Sequence, residues 1–260
     1  MVTVRLYLSS YGLGDHSAVL SGMVRGDRCG WVISNALDAL DAERRERETR
    51  QQIAELAKLG LSAVDLDLRL YRPDTITDAF GEPDFVWVRG GNVFMLRAAL
   101  ERSGADALIT SALDRDAFVY GGFSAGACVL APSLAGLELC DPVEDCLALY
   151  GSVPWSGLGV LDRAVVPHLA SPGHPESAVL EAVARGYGEA GVQYWALQDG
   201  DVLACEDGVY RHLFSRGSVA VEHRPYGPSW ARSSSSTLLP VDSTMRPFVT
   251  RYILNSATLT

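Results

Sequence analysis

Gly122-Phe123-Ser124-Ala125-Gly126 is a G-x-S-x-G sequence that directly follows the apolar run Ala117–Tyr120. A serine on a sharp strand-to-helix turn is held in a strained backbone with its hydroxyl exposed, and glycines two residues away on either side let the turn close against its neighbours. Residues 128–130 read as the short apolar helix after this turn, so the Ala125 amide lies at a helix N-terminus and is available to an oxyanion. The chemistry implied is nucleophilic attack on an acyl carbon, which requires a base and an acid to orient it.

Five histidines are available. His168 ends the apolar run Ala164-Val165-Val166-Pro167, which places it at the carboxyl end of a strand, where open α/β sheets carry their sites. His16, His174, His212 and His223 read as surface or packing residues. Three acids compete for the orienting role: Glu138 and Asp141, between the serine and His168 in the chain, and Asp199, after the apolar segment Tyr194–Leu197. Chain order alone leaves the three open, since both Ser-acid-His and Ser-His-acid arrangements are workable. A second source of backbone donors is Gly90-Gly91, after the apolar run Phe85–Val88 and before a helix starting near Asn92, where N–H groups are unshielded by side chains.

These residues need a frame. Short apolar runs at residues 2–8, 30–34, 62–68, 85–88, 117–120 and 164–167 alternate with longer amphipathic stretches, the rhythm of a parallel sheet covered by helices. Helices are expected over 41–59, 93–102 and 175–190. The first half of the 41–59 helix, Glu43–Glu48, mixes both charge signs and reads as a solvated face. Asp207-Gly208 between residues 201–206 and 209–214 is a hairpin signal, and residues 218–223 could add a further antiparallel strand. The fold class is therefore α/β, a doubly wound, mainly parallel sheet with antiparallel edge strands toward the C-terminus. The catalytic domain is expected to span 1–223. Residues 224–260, with a run of four serines at 233–236, read as an extension of unknown role.

Several of these segments together resemble the serine peptidases that include peptidase E (aspartyl dipeptidase) and cyanophycinase, on a fold similar to class I glutamine amidotransferases. They are Leu6-Tyr7-Leu8-Ser9-Ser10, Asn35-Ala36-Leu37-Asp38, Val88-Arg89-Gly90-Gly91-Asn92-Val93-Phe94, the Ser124 segment, and Val166-Pro167-His168 with Ser171–Ser177, in family order over roughly residues 2–215. The resemblance implies Ser124 as nucleophile, His168 as general base, and Gly91 beside Ala125 as oxyanion donors. Peptidase E places its third member in a Leu-Pro-Glu-Gly turn. The matching stretch here is Leu197-Gln198-Asp199-Gly200, so Asp199 becomes the expected orienter, one methylene shorter, with Glu138 in reserve. The arginine that aspartyl dipeptidases carry beyond the base has no counterpart in Glu176-Ser177-Ala178-Val179, which leaves Arg89 as a substitute. Asn92, Glu176 and Arg89 are expected to border the substrate, Glu176 by pairing with a free ammonium.

Composition limits the partners. Of 260 residues, 48% are hydrophobic and 21% charged, enough apolar material for a sizeable core without disulfides or a structural metal. The net charge of -10 disfavours nucleic acid. No apolar run is long enough to span a membrane, and the first residues lack a secretory pattern, so a cytoplasmic location is expected, with the five scattered cysteines reduced. The expected function is hydrolysis of short peptides by a Ser-His-Asp triad through an acyl-enzyme, with no cofactor and no metal. A serine hydrolase of another kind, with Ser124, Asp141 and His168 in α/β-hydrolase order, and an inactive binding module on the same fold are the alternatives. The oligomeric state is not legible.

Overall fold

A computed structural model describes residues 4–215. In chain order the elements are β1 (Arg5–Ser9), α1 (Ser17–Met23), β2 (Cys29–Ile33), α2 (Ala42–Ala57), β3 (Ser62–Asp65), α3 (Ile76–Phe80), β4 (Phe85–Val88), α4 (Val93–Ser103), α5 (Ala105–Leu113), β5 (Val119–Phe123), α6 (Ala125–Cys128), α7 (Val143–Tyr150), β6 (Ala164–Val166), α8 (Ser177–Ala190), β7 (Tyr194–Ala196), β8 (Val202–Glu206) and β9 (Val209–Leu213). The main sheet runs β3-β2-β4-β5-β1-β8-β9. Its first five strands pair in parallel, and β8 and β9 join antiparallel at the β1 edge, as the hairpin signal predicts. The expected strand at 218–223 and the extension at 224–260 lie outside the described residues.

Side chains alternate across the sheet with the period of a strand. Leu6, Leu8, Val86, Val88 and Tyr120 face one apolar layer with α4, α5 and α8. Tyr7, Val32, Phe85, Trp87 and Val119 face another, closed by Leu20 and Met23 of α1 and Leu56 of α2. Strands buried on both faces explain why the sequence reads there as continuous apolar runs rather than alternation.

Three expectations need correction. Ala164–Val166 is a strand, but it pairs with β7 in a separate two-stranded parallel sheet instead of joining the main one. The helix after the serine is Ala125–Cys128, because the turn leads into it directly, and tighter turns carry the chain on to Ala131. The start of α2 is not wholly solvated: Arg45 is buried against Asp38 at 3.2 Å and Asp65 at 3.3 Å, and Glu48 pairs with Arg89. The partners come from the turns after β2 and β4 and from the last residue of β3, so a helix whose own sequence looks like a surface salt-bridge ladder is pinned on one face by ion pairs.

Candidate active site

Ser124 sits between β5 and α6 with φ +49° and ψ −117°, a backbone region that non-glycine residues rarely adopt. The tight packing of the elbow explains its glycines: a Cβ at Gly126 would be driven into the Val88 carbonyl of the neighbouring strand. Neither the Ala125 N–H nor the Gly91 N–H has an acceptor among the described residues. Gly91 has φ +140°, and a Cβ there would lie 2.6 Å from the Ala36 carbonyl oxygen, so the loop before α4 is seated directly on the 35–37 turn.

His168 follows β6 with φ +54° and is 1% exposed. Its Nδ1 lies 2.6 Å from Asp199 Oδ1. A carboxylate accepts only, so the imidazole donates from Nδ1 and leaves Nε2 as the free ring nitrogen. Ser10, at the end of β1, ties the pair together: its Oγ donates to Asp199 Oδ1 at 2.9 Å and accepts the His168 backbone N–H at 2.8 Å. The Asp199 backbone N–H donates to Ser171 Oγ at 2.8 Å. Burial works to raise Asp199, but the hydrogen bonds and charge of His168, with the Ser10 hydroxyl, outweigh it and hold the carboxyl below its ordinary range. Asp199 is therefore ionised beside the ring at neutral pH.

Of the other two acids, Glu138 accepts the Gly136 N–H in its own turn, and Asp141 accepts the Val93 N–H at 2.8 Å at the start of α4. The acid that meets His168 is Asp199. His174, expected as a surface or packing residue, packs at the site itself: its ring stacks on that of His168, centroids 3.7 Å apart and planes 3° from parallel, with Tyr11 edge-on to both. Burial and then the neighbouring His168 lower the His174 pKa. Ser10 and Tyr11 were missed as site residues; the signal that could have found them is their position at the carboxyl end of a central parallel strand. Ligand atoms of His168, His174 and Asp199 lie within 4.8 Å of one another, close enough in principle to share a cation, although His168 Nδ1 and Asp199 Oδ1 already engage each other.

Ser124 and His168 open onto one cleft of about 310 Å³, lined on one side by Tyr11, His174 and Glu176 and on the other by Gly90, Gly91, Arg89 and α2 residues Glu48, Gln52 and Glu55. Arg89 pairs with Glu48, and its guanidinium lies 5.7 Å from the centre of the Phe123 ring. Asn92 is committed elsewhere: its Oδ1 accepts the Phe94 and Met95 N–H groups at 3.0 and 3.1 Å, and its Nδ2 donates to the Pro142 carbonyl at 2.7 Å. All five cysteines are free thiols. No helix among the described residues is long and apolar enough to cross a membrane.

A strained serine, a buried imidazole on a half-buried carboxylate and two N–H groups without acceptors among the described residues are the kinds of group that acyl transfer uses. Comparison with known proteins finds peptidases. The uncharacterized peptidase Lin0382 of Listeria innocua is 34% identical over 113 residues, 44% of this chain and 52% of that protein. Lmo0363 of Listeria monocytogenes, also an uncharacterized peptidase, is 33% identical over the same length. The chain thus spans about half the length of these curated relatives. In fold, the chain is similar to a peptidase E candidate from Listeria monocytogenes EGD-e, with a TM-score of 0.66 at 21% identity over 82% of this chain and 98% of that one. It is also similar to a peptidase from an acI-B1 actinobacterium, with a TM-score of 0.57 at 14% identity over 83% and 96%. The family model of peptidase family S51 matches residues 42–213, well over half of the chain, and takes in the Gly91 loop, Ser124, His168 and Asp199. This chain belongs to peptidase family S51.

Proposed function

We propose that the protein is a serine peptidase that hydrolyses short peptides from a free N-terminus, in the manner of a peptidase E-like dipeptidase. The observation that carries this reading is the His168–Asp199 pair on the same cleft as a serine held at positive φ. Ser124 Oγ attacks the scissile carbonyl carbon while His168 Nε2 takes the hydroxyl proton. The N–H groups of Gly91 and Ala125 donate to the oxyanion, and the imidazolium returns its proton to the departing amine. Water, deprotonated by the same Nε2, then attacks the acyl ester, and Ser124 leaves with the proton. Asp199 holds the ring with Nδ1 protonated throughout, and this chemistry calls for no cofactor.

The cleft's charges bear on the substrate. Arg89 is neutralised by Glu48, which weakens its claim to an acidic substrate side chain, whereas Glu176 lines the cleft half-buried with no cationic partner among the described residues. A free ammonium satisfies Glu176. Removing that charge leaves a partly desolvated carboxylate unpaired, at roughly 2–4 kcal/mol, or about 30- to 1,000-fold in binding.

Matched di- and tripeptides with free and N-acetylated amines, with aspartyl and non-acidic first residues, test this on the wild type and on Glu176→Gln. Cleavage of the free forms, sparing of the acetylated ones, and loss of that discrimination in Glu176→Gln are expected. Equal cleavage of free and acetylated peptides would remove the reading of attack from a free N-terminus and leave a serine hydrolase of unknown substrate.

A further inference from the structure

The loop that would carry one oxyanion donor is held from outside the cleft. Residues 90–93 leave β4 and enter α4 through three anchors: the Asn92 N–H on the Ala36 carbonyl at 2.9 Å, the Asn92 amide on the Pro142 carbonyl at 2.7 Å, and the Val93 N–H on Asp141 Oδ2 at 2.8 Å. Asn92 caps the next two amides of α4. The N–H groups of Asn92, Val93, Phe94 and Met95 are therefore all satisfied, while that of Gly91, just before them, has no acceptor among the described residues. The 35–37 turn supports this loop on one side, and Asp141 grips it from the other.

Asn92 caps the second and third amides of α4, and Asp141, from outside the helix, takes the first, Val93 N–H. The Asp141 carboxyl is partly buried. Burial pushes it up to about 7, opposed by the Val93 N–H and reinforced by the carboxylate of Glu176, with the thiol of Cys140 as its remaining close polar neighbour. Burial also raises the thiols of Cys140 and Cys128, which stay neutral. Among the described residues no cation acts on Asp141. A carboxyl kept there without a counter-ion is energetically unfavourable unless its acceptor geometry is needed.

We propose that Asp141 is a positioning residue for oxyanion formation: by accepting the Val93 N–H it fixes the peptide planes of the Gly91 loop, and with them the direction in which the Gly91 N–H meets a carbonyl held at Ser124. The proposal rests on reading Ser124 as the nucleophile. Asp141 itself does not line the cleft, so its effect falls on the transition state and not on substrate affinity.

The test uses Asp141→Ala, which removes the acceptor, and Asp141→Asn, whose side-chain carbonyl can replace it. Rates are referred to Ser124 sites counted with a fluorophosphonate, so that a loss of folded protein does not pass for a loss of kcat. The alanine variant should lose about 10- to 100-fold in kcat with KM within about threefold. It should bind a peptide aldehyde, whose adduct carries the oxyanion, more weakly by the same factor. The asparagine variant should recover to within about fivefold of wild type. Amide hydrogen exchange at Gly91, which requires no activity, should quicken in the alanine variant and return toward wild type in the asparagine one. If Asp141→Ala does not fold, Asp141→Glu, which displaces the carboxylate by a methylene, should lower kcat in the same selective way. Unchanged kcat and aldehyde affinity overturn the proposal, as does an asparagine variant no better than alanine. Unchanged Gly91 exchange overturns it whatever the activity. A wild-type protein that neither labels nor cleaves, yet shows the exchange difference, would instead locate the failure in the peptidase reading.

Discussion

On the His168 side of the cleft the polar groups satisfy one another: the imidazole on Asp199, Asp199 on Ser10, and the Ser10 oxygen on the His168 N–H. On the α2 side they do not. Among the described residues Gln52 Nε2 and Arg89 Nε are buried donors without partners, and Glu55 faces the same space as Glu48, which pairs with Arg89. A closed network holds its members in one geometry before any ligand arrives, whereas a buried donor without an acceptor costs its full desolvation. The first wall is thus fixed by its own hydrogen bonds, and the second carries polar groups that its own residues leave partly uncompensated.

The sharpest way to break this contrast is at the reacting atoms. Ser124→Ala and His168→Ala should each lower kcat by about 10⁴-fold or more without unfolding the protein, and the double variant should be little worse than either single one. A double variant far worse than both would mean that the two residues act independently. Asp199→Asn, which cannot accept from Nδ1–H with a full charge and admits the wrong tautomer, should cost about 10²- to 10⁴-fold in kcat. Glu138→Gln should change it by less than about twofold, and the reverse ranking would move the orienting role away from Asp199.

On the opposite wall the expected effects are smaller and of another kind. Glu48→Gln frees Arg89 from its partner and should shift KM by up to about tenfold, with kcat nearly unchanged, in the direction of tolerating acidic first residues. A fall in kcat equal to that of Asp199→Asn would erase the distinction between the walls.

The least expected effect is on stability. Asp141 has a folded pKa of about 7, above that of an unfolded aspartate near ~3.9, so the folded state holds its proton more tightly. Its stabilising contribution is complete below the unfolded value and is lost as the pH rises through 7. Asp199, lowered by its partners, works in the opposite sense: its contribution is present above the unfolded value and lost as the pH falls through the folded one. Denaturant midpoints measured from pH 4 to 8 should therefore fall more steeply with rising pH in the wild type than in Asp141→Asn.

Much of this molecule was legible in the sequence, and the reason differs from part to part. Phe85–Val88 is a strand to the residue, because a run buried on both faces has no other reading so close to Gly90-Gly91. Ser124 and His168 stood out in the sequence because a nucleophile elbow and a strand-end histidine are local features. The identity of the acid was not local. Asp199 meets His168 only because β6 and β7 pair outside the main sheet, a pairing that neither segment announces by itself. The Ser10 bridge and the Glu48–Arg89 pair were hidden for the same reason, each depending on a partner far along the chain. The stacking of His174 on His168 and the pairing of Arg45 with Asp38 join near neighbours in sequence, and they were hidden because the turn that folds each back on its partner carries no periodic signal.

The central claim is that Ser124 is activated by the His168–Asp199 pair. Reaction with a fluorophosphonate, followed by mapping of the modified residue, tests it most directly, on wild type, His168→Ala and Asp199→Asn. Rapid modification confined to Ser124 in the wild type, abolished in His168→Ala and slowed in Asp199→Asn, is the predicted result. Folded wild-type protein that does not react, or reacts at another residue, or labels equally fast without His168, would contradict it.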